Sequence, residues 1–335
     1  MLARVVRANF AQLPNKELAF FEYKRKLEFD EYSGLTATIF GATGFMGFYI
    51  GKVIGAMGSD IIFPHNHAYI FSDNGMDFDD QDLIERMVKH SDVVINLLGP
   101  RCDLKRYEQF EYINIKVAKR LALACKRNER IKRFIHFSAA AAAEDSPSLD
   151  FRSKHFGEQE VLSIYPQATI LKPCPVFGLN DHFAFSMYNQ AHHIYGRNVI
   201  FSDLQAVKQP IEVRDVAQAV KNVLRLEESK GKTYYLGGPY QHTMKEIIEI
   251  MYNYYYQEPM PLNFPKELAT KIATHRFMLP WKYFNHELIV KEDLQEVVPA
   301  GALATRDLLI KPASFRQGIA EVQPEARPWK PSLKD

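Results

Sequence analysis

The chain has 335 residues, 47 % of them apolar, and a formal net charge of +2. That length supports a large core in one domain or one and a half, and the near-neutral balance gives no global sign of a nucleic-acid partner. Three widely separated cysteines (Cys102, Cys125 and Cys174) give neither a disulfide framework nor metal spacing, and no run of about 18 apolar residues suggests a membrane span.

Residues 1–33 read as an N-terminal arm. It carries Arg4, Arg7 and Lys16 and no acid before Glu17, with Leu2, Val5, Val6, Phe10 and Leu13 as apolar members. A mitochondrial targeting segment has this pattern, and so has an ordinary amphipathic arm; both readings stay open. A polar helix is predicted around Glu17–Phe29. A βα rhythm then begins: strand 36–40, helix 45–57, strand 60–63, turn-rich 65–75, helix 82–90 and a strongly apolar strand 92–98. A long helix over 107–127 has Tyr112, Ile115, Ala118, Leu121 and Cys125 on one stripe. Strand 133–138, helix 153–165 and strand 169–172 complete the series. Strands alternating with helices predict a doubly wound parallel α/β sheet covered on both faces, over 34–178. A smaller C-terminal subdomain is expected over 179–300, with strands of the sheet returning from 208–240. Within it a helix is predicted over 213–226, a strand over 233–236 and a helix over 244–256. The tail 301–335 is expected to be extended from Pro312 onward and to wrap a neighbour.

The strongest local signal is Thr38-Ile39-Phe40-Gly41-Ala42-Thr43-Gly44-Phe45-Met46-Gly47. It is an apolar strand running into a three-glycine loop that opens a helix. Such a loop brings backbone N–H groups to a pyrophosphate, backed by the positive end of the helix dipole.

Seven segments from 34 to 240, in order, resemble the extended short-chain dehydrogenase/reductase superfamily, in its atypical branch. They are the Gly41–Gly47 loop, Asp77, Asn96-Leu97-Leu98-Gly99, Asn114, Phe134-Ile135-His136-Phe137-Ser138, Leu171-Lys172-Pro173 with Val176-Phe177-Gly178, and Pro210–Ala217. Within that superfamily the chain is similar to the nucleotide-binding accessory subunits of mitochondrial respiratory complex I, through Gly44-Phe45-Met46-Gly47, Met57-Gly58-Ser59, Val94–Gly99 and Lys208-Gln209-Pro210. The resemblance implies a structurally held NADP(H) and a place on the matrix arm near its junction with the membrane arm, peripheral on the matrix side of the inner membrane. It also implies site roles. Gly41, Thr43, Gly44, Phe45, Met46 and Gly47 cradle the pyrophosphate, and Asp77 meets the adenine. Leu97, Leu98 and Gly99 lie beside the ribose, and Lys154 holds the nicotinamide ribose. Ser138, Pro173 and Val176 line the nicotinamide end.

Reductases of the superfamily place a Tyr four residues before that Lys, so that both share one helix face. The Lys lowers the phenol pKa, and the Tyr exchanges a proton with the substrate. Here Asp150 stands in that position. A carboxylate is anionic at neutral pH and is expected to pair with Lys154, while Ser138 cannot supply the proton alone. Hydride-transfer catalysis is therefore not expected, and no catalytic residue is assigned. An active NADP-dependent reductase or epimerase would need its base elsewhere, at Tyr165, His136 or His155. A cofactor-sensing regulator is the third reading.

An acid at the end of the second strand would select NAD, and a base there would take the 2′-phosphate of NADP. Pro64-His65-Asn66-His67 has neither acid nor Arg. The missing acid favours NADP(H); the missing Arg removes a bidentate phosphate partner, so NAD(H) and an empty site stay open. Residues 265–284 interleave Lys266, Lys271, His275, Arg276 and Lys282 with Leu268, Ile272, Phe277, Met278, Leu279, Trp281 and Phe284. This suits peripheral contact with inner-membrane lipid or with a partner, or a substrate-domain helix with a solvated face. Tyr252, Tyr254, Tyr255 and Tyr256 cannot all face one core, so some are expected to meet another protein, with core packing at a helix end as the alternative. His192-His193 and His65-x-His67 lack further ligands at metal spacing, so no metal is expected. The partners expected are other complex I subunits and no nucleic acid.

Overall fold

The computed structural model describes residues 19–23, 34–65, 78–100, 107–179, 181–184, 187, 197–200, 204–255, 260–263, 265–267 and 286–322. The predicted βα series is present. β1 (Ala19–Tyr23) precedes β2 (Thr36–Phe40), α1 (Phe45–Ala56), β3 (Asp60–His65), α2 (Gln81–Val88) and β4 (Val93–Asn96). Then come α3 (Tyr107–Glu111), a π-helical segment Tyr112–Val117, α4 (Ala118–Arg127), β5 (Arg133–Phe137), α5 (Leu149–Ile164) and β6 (Thr169–Pro173).

The seven-stranded sheet has the order β1-β3-β2-β4-β5-β6-β11, where β11 is Thr233–Leu236. All pairings are parallel except β1 on β3. The chain steps from β2 to β3 on one side, then crosses to β4 on the other. The carboxyl ends of β2 and β4 therefore flank the topological switch point, where open α/β sheets bind ligands.

Period-2 alternation sorts the strands onto two cores. Ala37, Ile39, Val93, Ile95, Ile135 and Phe137 face one cluster with Ile50 and Ile54 of α1 and with Val216 and Val220 of α6 (Val213–Arg225). Phe40, Val94, Phe134 and Ile170 face the other, with Ile84 of α2, Leu121 of α4 and Val161 of α5. Thr38 lies on this second face, where its hydroxyl pairs with that of Ser91 at 2.5 Å.

The C-terminal part adds β7 (Val176–Phe177), β8 (Arg197–Ile200), β9 (Val207–Lys208), β10 (Ile211–Glu212), β12 (His242–Thr243), α7 (Met244–Tyr255), β13 (Met260–Asn263), α8 (His286–Glu292) and α9 (Phe315–Val322). Its strands pair two by two, β10 with β7, β12 with β9 and β13 with β8, and among the described strands only β11 returns to the main sheet. Phe177, Met244, Ile247, Met251, Phe315 and Ile319 form a separate small core. Tyr252 is buried against Ile200 and Ile248, whereas Tyr254 is 36 % exposed. Cys125 and Cys174 are buried thiols. No described helix is long and apolar enough to cross a membrane.

Two expectations are corrected. Where a helix is predicted around Glu17–Phe29, Ala19–Tyr23 is a strand, paired antiparallel with β3 from Ala19↔His65 to Tyr23↔Ile61. Phe20, Phe21 and Tyr23 are good strand formers, and the unpaired main-chain groups along the outer edge of β3 give them partners. The tail is not extended from Pro312: it forms α9, with Ser314 Oγ accepting from Gln317 N at 3.3 Å as a cap. Ser314-x-x-Gln317 is a capping signal legible in the sequence. Phe315 is 1 % exposed and meets Phe177 edge-on at 4.9 Å, so α9 packs on the body. The Asn66, His67, Asp77, Cys102, His192, His193 and Tyr256 expectations lie outside the described residues, as does all of the 265–284 stretch except residues 265–267.

Phe315→Ala should cost about 3 kcal/mol or more in urea unfolding, the usual range for emptying a buried phenylalanine site. A loss below about 1 kcal/mol would mean that α9 contributes little to the fold.

Candidate functional site

Gly41 ends β2 at φ 84°, and a Cβ there would lie 3.0 Å from the carbonyl carbon of Leu97. A Cβ on Gly47 would lie 2.4 Å from the Gly41 oxygen and 2.6 Å from Ala42 Cα. The close turn of the loop thus requires glycine at both positions. Gly44 N donates to the Gly41 carbonyl at 3.0 Å and caps α1 with no side chain, and α1 has no acid in its first turn. The N–H groups opening α1 and the dipole behind them therefore suit an anion. Thr43 and Gly44 are exposed, while Phe45 and Met46 are half-buried.

The other predicted binding residues gather at the same carboxyl edge of the sheet. Leu97 N donates to the Phe40 carbonyl at 2.9 Å, and Asn96 Oδ1 accepts from Leu98 N at 3.1 Å, shaping the turn into Gly99. Ser138 N reaches the Leu171 carbonyl at 2.8 Å, and Ala140 N the Pro173 carbonyl at 2.9 Å, which lays Ser138–Ala140 along Leu171–Pro173. Val176 packs at the rim of the core beside α1. His65 is the last residue of β3, next to β2. A cradle that a single Cβ would fill, at a switch point and under an uncapped helix N-terminus, fits a dinucleotide pyrophosphate.

Beyond the cradle lies a buried polar network at the start of α5. Asp150, 6 % exposed, accepts from Lys154 Nζ at 3.2 Å, Lys291 Nζ at 2.7 Å and Asn114 Nδ2 at 3.0 Å. The Lys154 pair is the one the i,i+4 spacing predicts. Burial alone would raise the Asp150 pKa. The charges of Lys154 and Lys291 and the hydrogen bonds from Lys291 and Asn114 outweigh it and hold the carboxyl well below the usual range. Burial likewise works against the Lys291 charge, but Asp150, Glu287 and Glu296 hold its ammonium above the usual lysine range. Asn114 comes from the π segment, and its second contact is with Ser153 Oγ at 2.8 Å. Gly157 lets α5 approach that segment closely, since a Cβ there would lie 2.1 Å from the Asn114 carbonyl.

α8 is fastened over this end of α5. Glu287, 3 % exposed, accepts from Ser148 Oγ at 2.6 Å and from the backbone N–H groups of Leu149 (3.1 Å) and Asp150 (3.4 Å). It thereby occupies the N-terminus of α5 with an anion. Lys291 follows one turn later, 4.5 Å over the ring of Phe151. At the far end of α8, buried Lys208 donates to the carbonyls of Lys291 (2.7 Å) and Leu294 (2.5 Å) and to Glu296 Oε1 (2.8 Å).

The alternative proton carriers are engaged elsewhere. Ser138 Oγ donates to Glu158, which also pairs with Lys172 at 2.8 Å. His136 is buried, and its pKa is pushed down to about 4 by burial first and by the Lys154 charge second. Its Nδ1 accepts from Asn96 Nδ2 at 3.0 Å, which fixes the neutral tautomer with the proton on Nε2. Tyr165 OH reaches the Ile131 carbonyl at 3.4 Å, at the opposite end of α5, and His155 contacts Gln159 at 3.0 Å on the exposed side of that helix. A cleft of about 430 Å³ between the π segment and α5, lined by Ile115, Phe156 and Ser163 among others, includes neither a loop glycine nor Asp150.

Glu287, Lys291 and Glu158 are absent from the sequence-based assignment. Glu287 and Lys291 do share a helix face in His-Glu-Leu-Ile-Val-Lys-Glu. Their partners, however, lie 137 to 141 residues away, which no local pattern reveals.

The description "NAD dependent epimerase/dehydratase family" matches residues 37–237. The chain is 28 % identical over 312 residues to the mitochondrial NADH dehydrogenase (ubiquinone) 1 alpha subcomplex subunit 9 of Mus musculus, covering 89 % of this chain and 82 % of that protein. It is 34 % identical to the Arabidopsis thaliana protein of the same name, covering 85 % and 76 %. Among solved structures, a UDP-glucose 4-epimerase of Thermotoga maritima with UDP-glucose superimposes with a TM-score of 0.65 at 15 % identity, covering 86 % of this chain and 97 % of that one, a likeness of fold. The chain belongs to the NAD dependent epimerase/dehydratase family and, within it, to the family of mitochondrial NADH dehydrogenase (ubiquinone) 1 alpha subcomplex subunit 9 proteins.

Proposed function

We propose that this chain is a non-catalytic, nucleotide-binding accessory subunit of mitochondrial NADH:ubiquinone oxidoreductase (complex I). The names of its relatives support the assembly. The single observation that supports the non-catalytic part is the Asp150 carboxyl held by Lys154, Lys291 and Asn114, at the place this reading assigns to the phenol of active reductases. An anion there has no proton to give, and it attracts the lysine that would otherwise activate a donor. Ser138 and His136 do not replace it, since one donates to Glu158 and the other is neutral and bonded to Asn96.

The nucleotide proposed is NADP(H). Gly41, Gly44 and Gly47 would receive its pyrophosphate, Asp77 the adenine and Lys154 the nicotinamide ribose. Bound dinucleotide supplies hydride chemistry in active relatives of the fold; here its binding energy stabilises the folded chain by mass action. The subunit sits on the matrix side of the inner membrane, peripheral to it, where it braces the matrix arm near the membrane arm. The basic and aromatic stretch 265–284 is the proposed lipid contact, although Lys266 at its start already pairs with Asp293.

Native protein from detergent-solubilised mitochondrial membranes should co-migrate with a megadalton complex, and denaturation should release NADP(H) identifiable by mass spectrometry. Recombinant protein with NADPH and a panel of carbonyl substrates should show no turnover. Turnover abolished by Lys154→Ala would replace this reading with that of an active reductase.

A pH dependence also follows. His136 has a folded pKa of about 4, below the ordinary value of about 6.5, so the unfolded chain binds the extra proton first. Its contribution to stability is complete above about pH 6.5 and falls as pH drops towards 4, by about 3 kcal/mol in all. Asp150 adds a loss of the same sign only as pH approaches and passes below its ordinary value of about 3.9. Denaturant unfolding at pH 7 and pH 5 should show the drop, and His136→Gln should flatten it. An unchanged slope in that variant would remove His136 from the account.

A further inference from the structure

Asp150 has two cationic partners from different parts of the chain. Lys154 lies on its own helix, one turn on, while Lys291 comes from α8. Their side chains are 21 % and 26 % exposed, against 9 % for Asp150, so the carboxylate is the most deeply held member. The two lysines differ in what else they can do. Lys154 is the residue the proposed function assigns to the nucleotide ribose. Lys291 lies over Phe151 on a helix anchored at both ends, by Glu287 on α5 and by Lys208 at the α8 C-terminus.

A lysine that turns towards a ribose gives up part of its hold on Asp150. A buried carboxylate left without a partner is strongly unfavourable, so Lys154 is free to turn only if another cation stays. We infer that Lys291 is that cation: it is a positioning residue that releases Lys154 to the nucleotide, and it thereby links nucleotide binding to the docking of α8. The inference rests on the nucleotide-binding reading above. The linkage works in both directions. With nucleotide bound, Lys291 becomes the main counter-charge of Asp150, and detaching α8 would strand the carboxylate. Without Lys291, nucleotide must compete with Asp150 for Lys154. Lys291 makes no nucleotide contact in this scheme, and its effect disappears when residue 150 carries no charge.

The test is a set of NADPH titrations, by calorimetry or cofactor fluorescence, on full-length wild type, Lys291→Met, Lys291→Arg, Asp150→Asn and the Asp150→Asn/Lys291→Met double variant. Thermal unfolding of each checks that it folds. Lys291→Met should weaken binding about tenfold or more, and Lys291→Arg should bind within about threefold of wild type. In the Asp150→Asn background, Lys291→Met should have little further effect. Amide exchange over 286–292 should slow when wild type is saturated with NADPH and respond much less in Asp150→Asn. Two results would overturn the inference: a folded Lys291→Met that binds like wild type, or the same loss from Lys291→Met with Asn at 150, which marks general damage. Failure of wild type to bind NADPH, NADP⁺ or NAD(H) would instead remove the nucleotide-binding reading, and this inference with it.

Discussion

The Asp150 carboxylate lies in the first turn of α5 and accepts hydrogen bonds from Lys154, Lys291 and Asn114. A buried single charge is tolerable only with close opposite charge and satisfied lone pairs. Meeting that condition draws together three distant pieces of chain: the π segment that presents Asn114, the helix that carries Lys154 and the C-terminal helix that carries Lys291. Glu287 and Lys291 bring one charge of each sign, as Asp150 and Lys154 do, so the cluster is balanced. The cost of burying the two carboxylates is offset by the half-buried lysines and by the α5 N–H groups that donate to Glu287.

This arrangement separates two properties that the fold usually combines. The nucleotide cradle depends on glycines at the carboxyl edge of the sheet, and it keeps its form without reference to residue 150. Proton transfer depends on one side chain in one protonation state. In the proposed reading, a clamped anion in place of a neutral donor would remove the chemistry and leave the cradle in place. On that proposal the lysine would serve the nucleotide and the carboxylate together, and α8 would be tied to the nucleotide site by charge rather than contact.

The parallel sheet was legible because its signals are local. Apolar runs such as Val93–Asn96, the Gly41–Gly47 loop and the i,i+4 relation of Asp150 and Lys154 each lie within one window of sequence. The misreadings have the opposite character. Ala19–Tyr23 becomes a strand because it meets the edge of β3 about forty residues later, a partner that periodicity cannot reveal. Pro312 favours extended chain, whereas the Ser314–Gln317 cap starts α9 directly after it. The clamp at Asp150 was half legible: Lys154 is one turn away, while Lys291 and Glu287 arrive by tertiary packing. The Glu158 partner of the Ser138 hydroxyl, twenty residues on, is likewise invisible to local pattern.

The account stands on the charge state of one carboxyl group. Carbon-13 NMR of aspartate-labelled protein, assigned with Asp150→Asn, reads it directly. The Asp150 carboxyl should stay ionised through the ordinary carboxylate range near about pH 3.9, with and without NADPH. A carboxyl resonance at that residue titrating near neutrality would give the site a proton to donate and would contradict the central claim.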